Sequence, residues 1–166
     1  MTPESITAGL SRFATGVTIV SVRDDSEWGD SDDIATTVSA FMPVSLQPPL
    51  VAMAVNAASY AAEVLGRVDG WGLSVLAAGQ TQLAGRFSAA GRPSPRLLLA
   101  DTPHHRGEQT GALLLDEGCA TMECRTTERI RAGDHLLVLA EVLAVTAIDR
   151  EPLVRFGRAY RGLAPR

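Results

Sequence analysis

Residues 36–50 read Thr36-Thr37-Val38-Ser39-Ala40-Phe41-Met42-Pro43-Val44-Ser45-Leu46-Gln47-Pro48-Pro49-Leu50, and the interpretation of this run decides the architecture. It begins with the β-branched residues of a strand. Small hydroxylated residues and three prolines follow, before a second apolar run from Leu50 to Val55. Proline lacks an N–H and fixes φ, so Pro43, Pro48 and Pro49 argue against a regular ladder or helix through the middle. The expectation is a strand end that opens into a rigid loop with free backbone N–H groups and short hydroxyls. Such a surface suits a flat polar ring with a phosphate tail; it equally suits a well-bonded turn.

Strands are expected on both sides of this run. Val17 to Val22 and Ile34 to Phe41 flank six acids in ten residues, Asp24 to Asp33. That spacing reads as a hairpin with a solvated tip rather than a carboxylate metal site. Upstream, Thr2-Pro3-Glu4 supplies an N-cap, an N1 proline and a first-turn acid, and Ile6, Leu10 and Phe13 keep helical spacing, so a helix is expected over 3–13. Downstream, Leu50 to Val55 is a buried strand closed by Asn56, and Ser59 caps a short helix carrying Tyr60, Val64 and Leu65. Trp71 to Leu76 is a strand, and Leu83 and Phe87 at i, i+4 mark a short helix over Gln80 to Phe87.

Ser88 to Gly111 reads as one long loop, of the kind that is usually functional or packed over a neighbour. Three strands follow: Ala112 to Leu115, Cys119 to Arg125, and His135 to Ile148 after a Gly133-Asp134 turn. The last is long enough to be bent or bulged. The tail sets Arg150, Arg155, Arg158 and Arg161 around Phe156 and Tyr160; the two aromatics read as packing residues, and the arginines as a solvated or dimer-packing segment, with contact to dinucleotide phosphates as the other reading. Six or more strands with few, short helices favour a closed barrel over a doubly wound parallel sheet. No GxGxxG follows a strand, which leaves a Rossmann fold without support.

With 166 residues, 46% hydrophobic and 20% charged, the chain is expected to be one globular domain, 1–166. A net charge of −4 argues against broad nucleic-acid or anionic-membrane binding. All fifteen cationic side chains are Arg. The absence of Lys excludes Schiff-base chemistry and a Walker-type phosphate lysine, so an anionic ligand must be held by Arg, hydroxyls or backbone N–H. The N-terminus lacks the basic start and apolar core of a signal peptide, and the Leu50–Val55 run is far too short to span a membrane, so a cytoplasmic location is expected. Cys119 and Cys124 lie an odd number of residues apart in a strand-like run, on opposite faces, so neither a disulfide nor joint metal ligation is expected. His104 and His105 have no third ligand near them in sequence.

Phe13-Ala14-Thr15-Gly16-Val17-Thr18-Ile19-Val20, Thr37-Val38-Ser39-Ala40-Phe41, Val44-Ser45-Leu46 and Pro48-Pro49-Leu50 form an ordered set. Gln80…Leu83-Ala84…Phe87, Glu123-Cys124, Gly133-Asp134-His135 and Arg158-Ala159-Tyr160 continue it. Taken together, the set resembles the short-chain flavin reductases over nearly the whole chain. The resemblance implies a mainly β fold, a split β-barrel of the FMN-binding, Greek-key type with a few short helices. It further implies a homodimer with flavin near the subunit interface. The implied activity is reduction of FMN or FAD by direct hydride transfer from NADH or NADPH, with reduced flavin passed to a partner monooxygenase. The alternative is a flavin-binding protein of the same fold that keeps its flavin, as an oxidoreductase on another substrate or as an electron carrier.

Carried over by position, Thr36, Thr37, Val38, Ser39 and Ala40 match the segment along the isoalloxazine ring, and Ser45 a nearby loop hydroxyl. Asn56 and Ser59 match residues near the ribityl and phosphate groups. Ala84 belongs to the cofactor-binding set, and Arg86, Phe87 and Ser88 match the segment that closes over the phosphate end. His135 matches the histidine on the nicotinamide side and is the candidate catalytic residue; its other role would be to bond the Gly133-Asp134 turn. Two positions depart from the family pattern. A common glycine is Ala35 here, and an acid common before the proline pair is Gln47.

Overall fold

The computed structural model describes residues 2–24 and 32–163. After a first helix, α1 (Pro3–Leu10), the chain lays down β1 (Thr15–Gly16), β2 (Thr18–Asp24), β3 (Asp32–Val38), β4 (Phe41–Leu46) and β5 (Pro49–Asn56). It continues through α2 (Tyr60–Arg67), β6 (Gly70–Val75), α3 (Thr81–Ser88), α4 (Pro95–Leu98), β7 (His104–Arg106) and β8 (Leu113–Leu115). It ends with β9 (Ala120–Ala132), β10 (His135–Ala147), β11 (Val154–Phe156) and β12 (Ala159–Arg161). Seven strands make one antiparallel sheet in the order β3-β2-β6-β9-β10-β5-β4. The tail hairpin β11–β12 joins β1 in a small second sheet, and β7 pairs with β8.

Alternation along the strands creates two apolar layers. In β2, Val20 and Val22 point to the barrel interior, where they meet Val38, Met53, Val55, Leu65, Trp71, Leu73, Cys124 and Val138. Val17 and Ile19 point outward, into a second layer with Ala35, Leu83, Phe87, Leu99 and Leu153 beneath α3, α4 and the tail. The mainly β barrel with short helices is therefore as the sequence implies. Val17–Val22 and Ile34 onward do pair, from Thr18 opposite Val38 to Asp24 opposite Asp32. The acidic tip between them, residues 25–31, lies outside the described residues. Arg67 at the end of α2 donates to both Asp24 carboxylate oxygens, at 2.5 and 2.7 Å, and pins that helix to β2.

Four elements differ from the sequence reading. Phe41–Leu46 is a strand, not a loop: it pairs with β5 from Phe41 opposite Met53 to Leu46 opposite Pro49, with a register shift between Pro43 and Ser45. It stands at the edge of the sheet, where one side of the strand needs no ladder partner, so proline is tolerated there and at a bulge. Strand β9 runs on to Ala132, seven residues past Arg125. Its charged end is tied down by Arg129, which donates to the carbonyls of Leu65 at 2.7 Å and Val68 at 3.0 Å. The expected long loop from Ser88 to Gly111 contains α4 and β7. Helix α1 is also shorter than expected, stopping at Leu10 where Ser11 caps it.

The bulged character of β10 is present, with register shifts at Leu139/Ala140 and Val142/Ala144, and Gly133 turns into it at φ 62°. Both cysteines are free. Burial, with Glu123 adjacent, pushes the Cys124 thiol up to about 12. No helix among the described residues is long and apolar enough to cross a membrane.

Gly72 in β6 marks a close approach between the sheet and the layer outside it. A Cβ there would sit 2.8 Å from Leu114 Cδ2 and 2.9 Å from Ala112 Cβ. Gly72→Ala is expected to destabilise the fold by about 1–3 kcal/mol, read as a lower urea midpoint with an unchanged m-value.

Candidate functional site

Ser39 and Ala40 occupy the two positions between β3 and β4, the strands at opposite edges of the seven-stranded sheet. The chain crosses from one edge to the other here, and the crossing is fixed by Ala54 N–H donating to the Ala40 carbonyl at 2.9 Å. Thr37 and Ser39 share one face of the strand, away from inward-facing Val38. The Thr37 hydroxyl donates to the Ala84 carbonyl at 2.7 Å, which locks α3 over that face. Between them opens a cavity of about 230 Å³ lined by Val17, Thr37, Ser39, Ser88, Arg155 and Tyr160. The tail supplies the last two because β11 pairs with β1, Arg155 opposite Thr15. Tail and barrel are stitched together by Leu153 N–H to Leu76 O at 2.8 Å and Ala78 N–H to Glu151 O at 2.8 Å.

A second group stands beside this crossing. Asn56, two residues beyond Ala54, lies about 7 Å further along β5. It pairs directly with His135 at the start of β10. Its side-chain oxygen accepts from Ala58 N–H at 2.9 Å, and its carbonyl accepts the Ser59 hydroxyl at 2.7 Å. Ser59 Oγ in turn accepts from Ala62 N–H at 3.1 Å, so it is the helix cap expected from the sequence. Ser59 also lines an open cleft of about 560 Å³ with Tyr60, Glu63, Arg131 and Leu136. His135 Nδ1 lies 2.7 Å from Asp134 Oδ1, and this hydrogen bond holds the Asp134 carboxyl below its usual range. The turn-bonding role of His135 is thus present; the ring is 43% exposed, which leaves Nε2 accessible.

The structure accordingly gathers Thr37, Ser39 and Ser88 at one cavity, and Asn56, Ser59 and His135 as a separate group where β5 meets β10. Ala84 and Phe87 are buried and act as the platform of α3; Thr36 lies in β3 just before the crossing and Ala40 within it. Arg86 is exposed and Ser45 lines neither cavity; the Ser45 hydroxyl accepts from Gln47 N–H at 3.2 Å within the β4–β5 turn. Ala35, the departure from the expected glycine, turns its methyl into the outer apolar layer. Its carbonyl accepts from Arg92 Nε and Nη2 at 3.1 and 2.8 Å, and partial burial lowers the pKa of that guanidinium.

Sequence reasoning missed Arg92 and left Arg155 and Tyr160 among tail residues. The only signal for them was an alternating Val154-Arg155-Phe156 followed by Gly157, which marks a hairpin and so places residues 155 and 160 on one face. A further cleft, of about 290 Å³, includes Glu123. There one carboxylate oxygen already accepts from Gln109 N–H, Thr110 N–H and the Thr110 hydroxyl at 2.7–2.9 Å, so this acid anchors a loop.

The flavin reductase like domain model matches residues 10–164. The chain belongs to that family. It is 35% identical over 161 residues to the reductase component of a 4-hydroxyphenylacetate 3-monooxygenase from Thermus thermophilus, covering 96% of each chain. Among solved structures it is similar to the flavin reductase component of a bacterial two-component tryptophan halogenase, at TM-score 0.89 and 34% identity, covering 99% of this chain and 100% of that one. It is also similar to a Streptomyces globisporus NADH:FAD oxidoreductase solved with NAD and FAD fragments, at TM-score 0.87 and 29% identity, covering 98% and 93%. The split barrel read from the sequence is the fold of this flavin reductase family.

The Thr37–Ala84 bond is the joint between β3 and α3. Thr37→Val keeps the shape and removes the side-chain bond to the helical Ala84 carbonyl, which is expected to cost about 0.5–1.5 kcal/mol of stability in urea denaturation.

Proposed function

We propose that this chain is an NADH-dependent flavin reductase that takes FMN or FAD as a released substrate and supplies the reduced form to a separate monooxygenase. The observation carrying this reading is the lining of the cavity at the edge crossing. It contains one guanidinium, one phenol and three aliphatic hydroxyls, and no carboxylate. That donor set fits a flavin with an anionic tail. The family relatives named above, one the reductase component of a monooxygenase and one the flavin reductase component of a two-component halogenase, point the same way.

Hydride transfer from nicotinamide C4 to flavin N5 is supplied by the two coenzymes and requires no acid or nucleophile from the protein. What the chain contributes is position. Thr36 to Ala40 present a backbone with small side chains at the crossing, so a ring can approach closely, with N–H dipoles available to its electron-rich edge. Asn56 and Ser59 are already bonded within their turn and hold its shape. His135, steadied through Nδ1 by Asp134, keeps Nε2 free for the nicotinamide amide or for a proton at the ring edge.

A homodimer completes this reading. Helix α1 buries no residue within the chain, and Leu10, Phe13, Met42 and Leu46 are 71%, 76%, 57% and 90% exposed, which suits a second copy.

Purified protein mixed with NADH and a large excess of free FMN or FAD is expected to bleach the nicotinamide band through many turnovers, in a particle of twice the chain mass by light scattering. A single stoichiometric bleach would assign the flavin as a resident cofactor, and no bleach would overturn the reading. His135→Ala is expected to raise the KM for NADH while leaving flavin affinity unchanged.

A further inference from the structure

Among the half-buried arginines, Arg155 stands apart. Arg92 is held by the Ala35 carbonyl, and Arg129 by two carbonyls and Asp69. Arg155 instead lies over the Tyr160 ring, 5.5 Å from its centroid, and no carboxylate among the described residues pairs with it. It is the one charged residue in the lining of the 230 Å³ cavity. A guanidinium in that position is oriented by the ring, through cation–π attraction, without having its N–H donors used.

The hydroxyls around it divide into two kinds. Thr37 and Ser88 commit their protons to the carbonyls of Ala84, at 2.7 Å, and Gly85, at 2.9 Å. Ser39 and Tyr160 make no hydrogen bond to any other described residue through their hydroxyls. The donors left to face a ligand are therefore Arg155, Ser39 and Tyr160, converging on one small space from β11, the edge crossing and β12. A charge-assisted fork with two hydroxyls is the donor set for a phosphate oxyanion.

From this we infer that Arg155, braced on Tyr160, holds the phosphate tail of the flavin, the role that the sequence pattern assigns to Arg86. The inference rests on the flavin reading of the cavity and names the residue that sets preference for a phosphorylated flavin over riboflavin. Arg86, exposed at the last turn of α3 and outside the lining, is left as a solvated cation.

The test compares binding of FMN and riboflavin, followed by quenching of flavin fluorescence, with no nicotinamide present. Arg155→Met is expected to raise the Kd for FMN by roughly ten- to a hundredfold and to leave that for riboflavin within about twofold. Arg155→Lys keeps the charge without the planar fork and is expected to recover part of the FMN preference. Tyr160→Leu is expected to shift FMN in the same direction by a smaller factor. Equal losses for FMN and riboflavin in Arg155→Met would overturn the inference, since the arginine would then serve the ring or the fold. So would loss of FMN preference in Arg86→Met with none in Arg155→Met. A wild-type chain that binds neither flavin would instead overturn the flavin reading itself.

Discussion

One continuous run of chain, residues 32–46, serves both edges of the seven-stranded sheet, and this constraint organises the molecule. A sheet that twists and rolls brings its first and last strands toward each other. Here the chain itself joins them, as β3 at one edge passes through Ser39 and Ala40 into β4 at the other. Because regular strand ends at Val38 and resumes at Phe41, the crossing is the place where the backbone is not wholly absorbed by a ladder. A barrel split in this way has its polar main chain exposed where the fold is most firmly determined on both sides. The Ala54–Ala40 bond fixes the register of the second edge, and Thr18 opposite Val38 fixes that of the first.

Rigidity at the crossing comes from hydrogen bonds that consume some polar groups and spare others. Thr37, Ser59 and Asn56 are engaged within the protein, whereas Ser39 is left to face the cavity. Both kinds looked alike as residue types in the sequence. The difference is set by neighbours distant along the chain: α3 brings the Ala84 carbonyl to Thr37, forty-seven residues away, and the tail brings Arg155 and Tyr160 against Val17 and Ser39. A site made this way is preorganised by its scaffold, which is what a reaction driven by the alignment of two coenzymes requires.

Much of the barrel was legible because its strands alternate or run apolar at lengths only strands have, as in Val17–Val22 and Leu50–Val55. Caps were legible too; Thr2 and Ser59 both accept the backbone bonds their positions promised. Pro43 was misleading because the penalty for proline in a strand depends on whether its N–H side faces a partner, and that is a property of sheet order. Thr126 to Arg131 concealed a strand for a related reason. Their charges are those of a loop, yet Trp71 donates its indole N–H to Thr126 at 3.1 Å, and Arg129 reaches α2. Arg86 and Arg155 could not be ranked from sequence, since their difference lies entirely in which one the tail hairpin turns inward.

Net charge is a poor guide to such a site. The chain carries −4, yet four of its nineteen acids are held by arginine partners: Arg67 on Asp24, Arg106 on Asp33, Arg125 on Glu141 and Arg129 on Asp69. Two of these, on Asp24 and Asp33, are two-pronged contacts that the planar guanidinium makes and an ammonium does not. The more exposed Arg125–Glu141 pair contributes little stability, and all four pairs neutralise one another beyond a Debye length of about 8 Å. What an anion meets in the cavity is then set by the nearest groups alone, a guanidinium on an aromatic face and hydroxyls, with no carboxylate in the lining. An acidic protein without a single lysine can thus still set a guanidinium and hydroxyls around a cavity free of carboxylates.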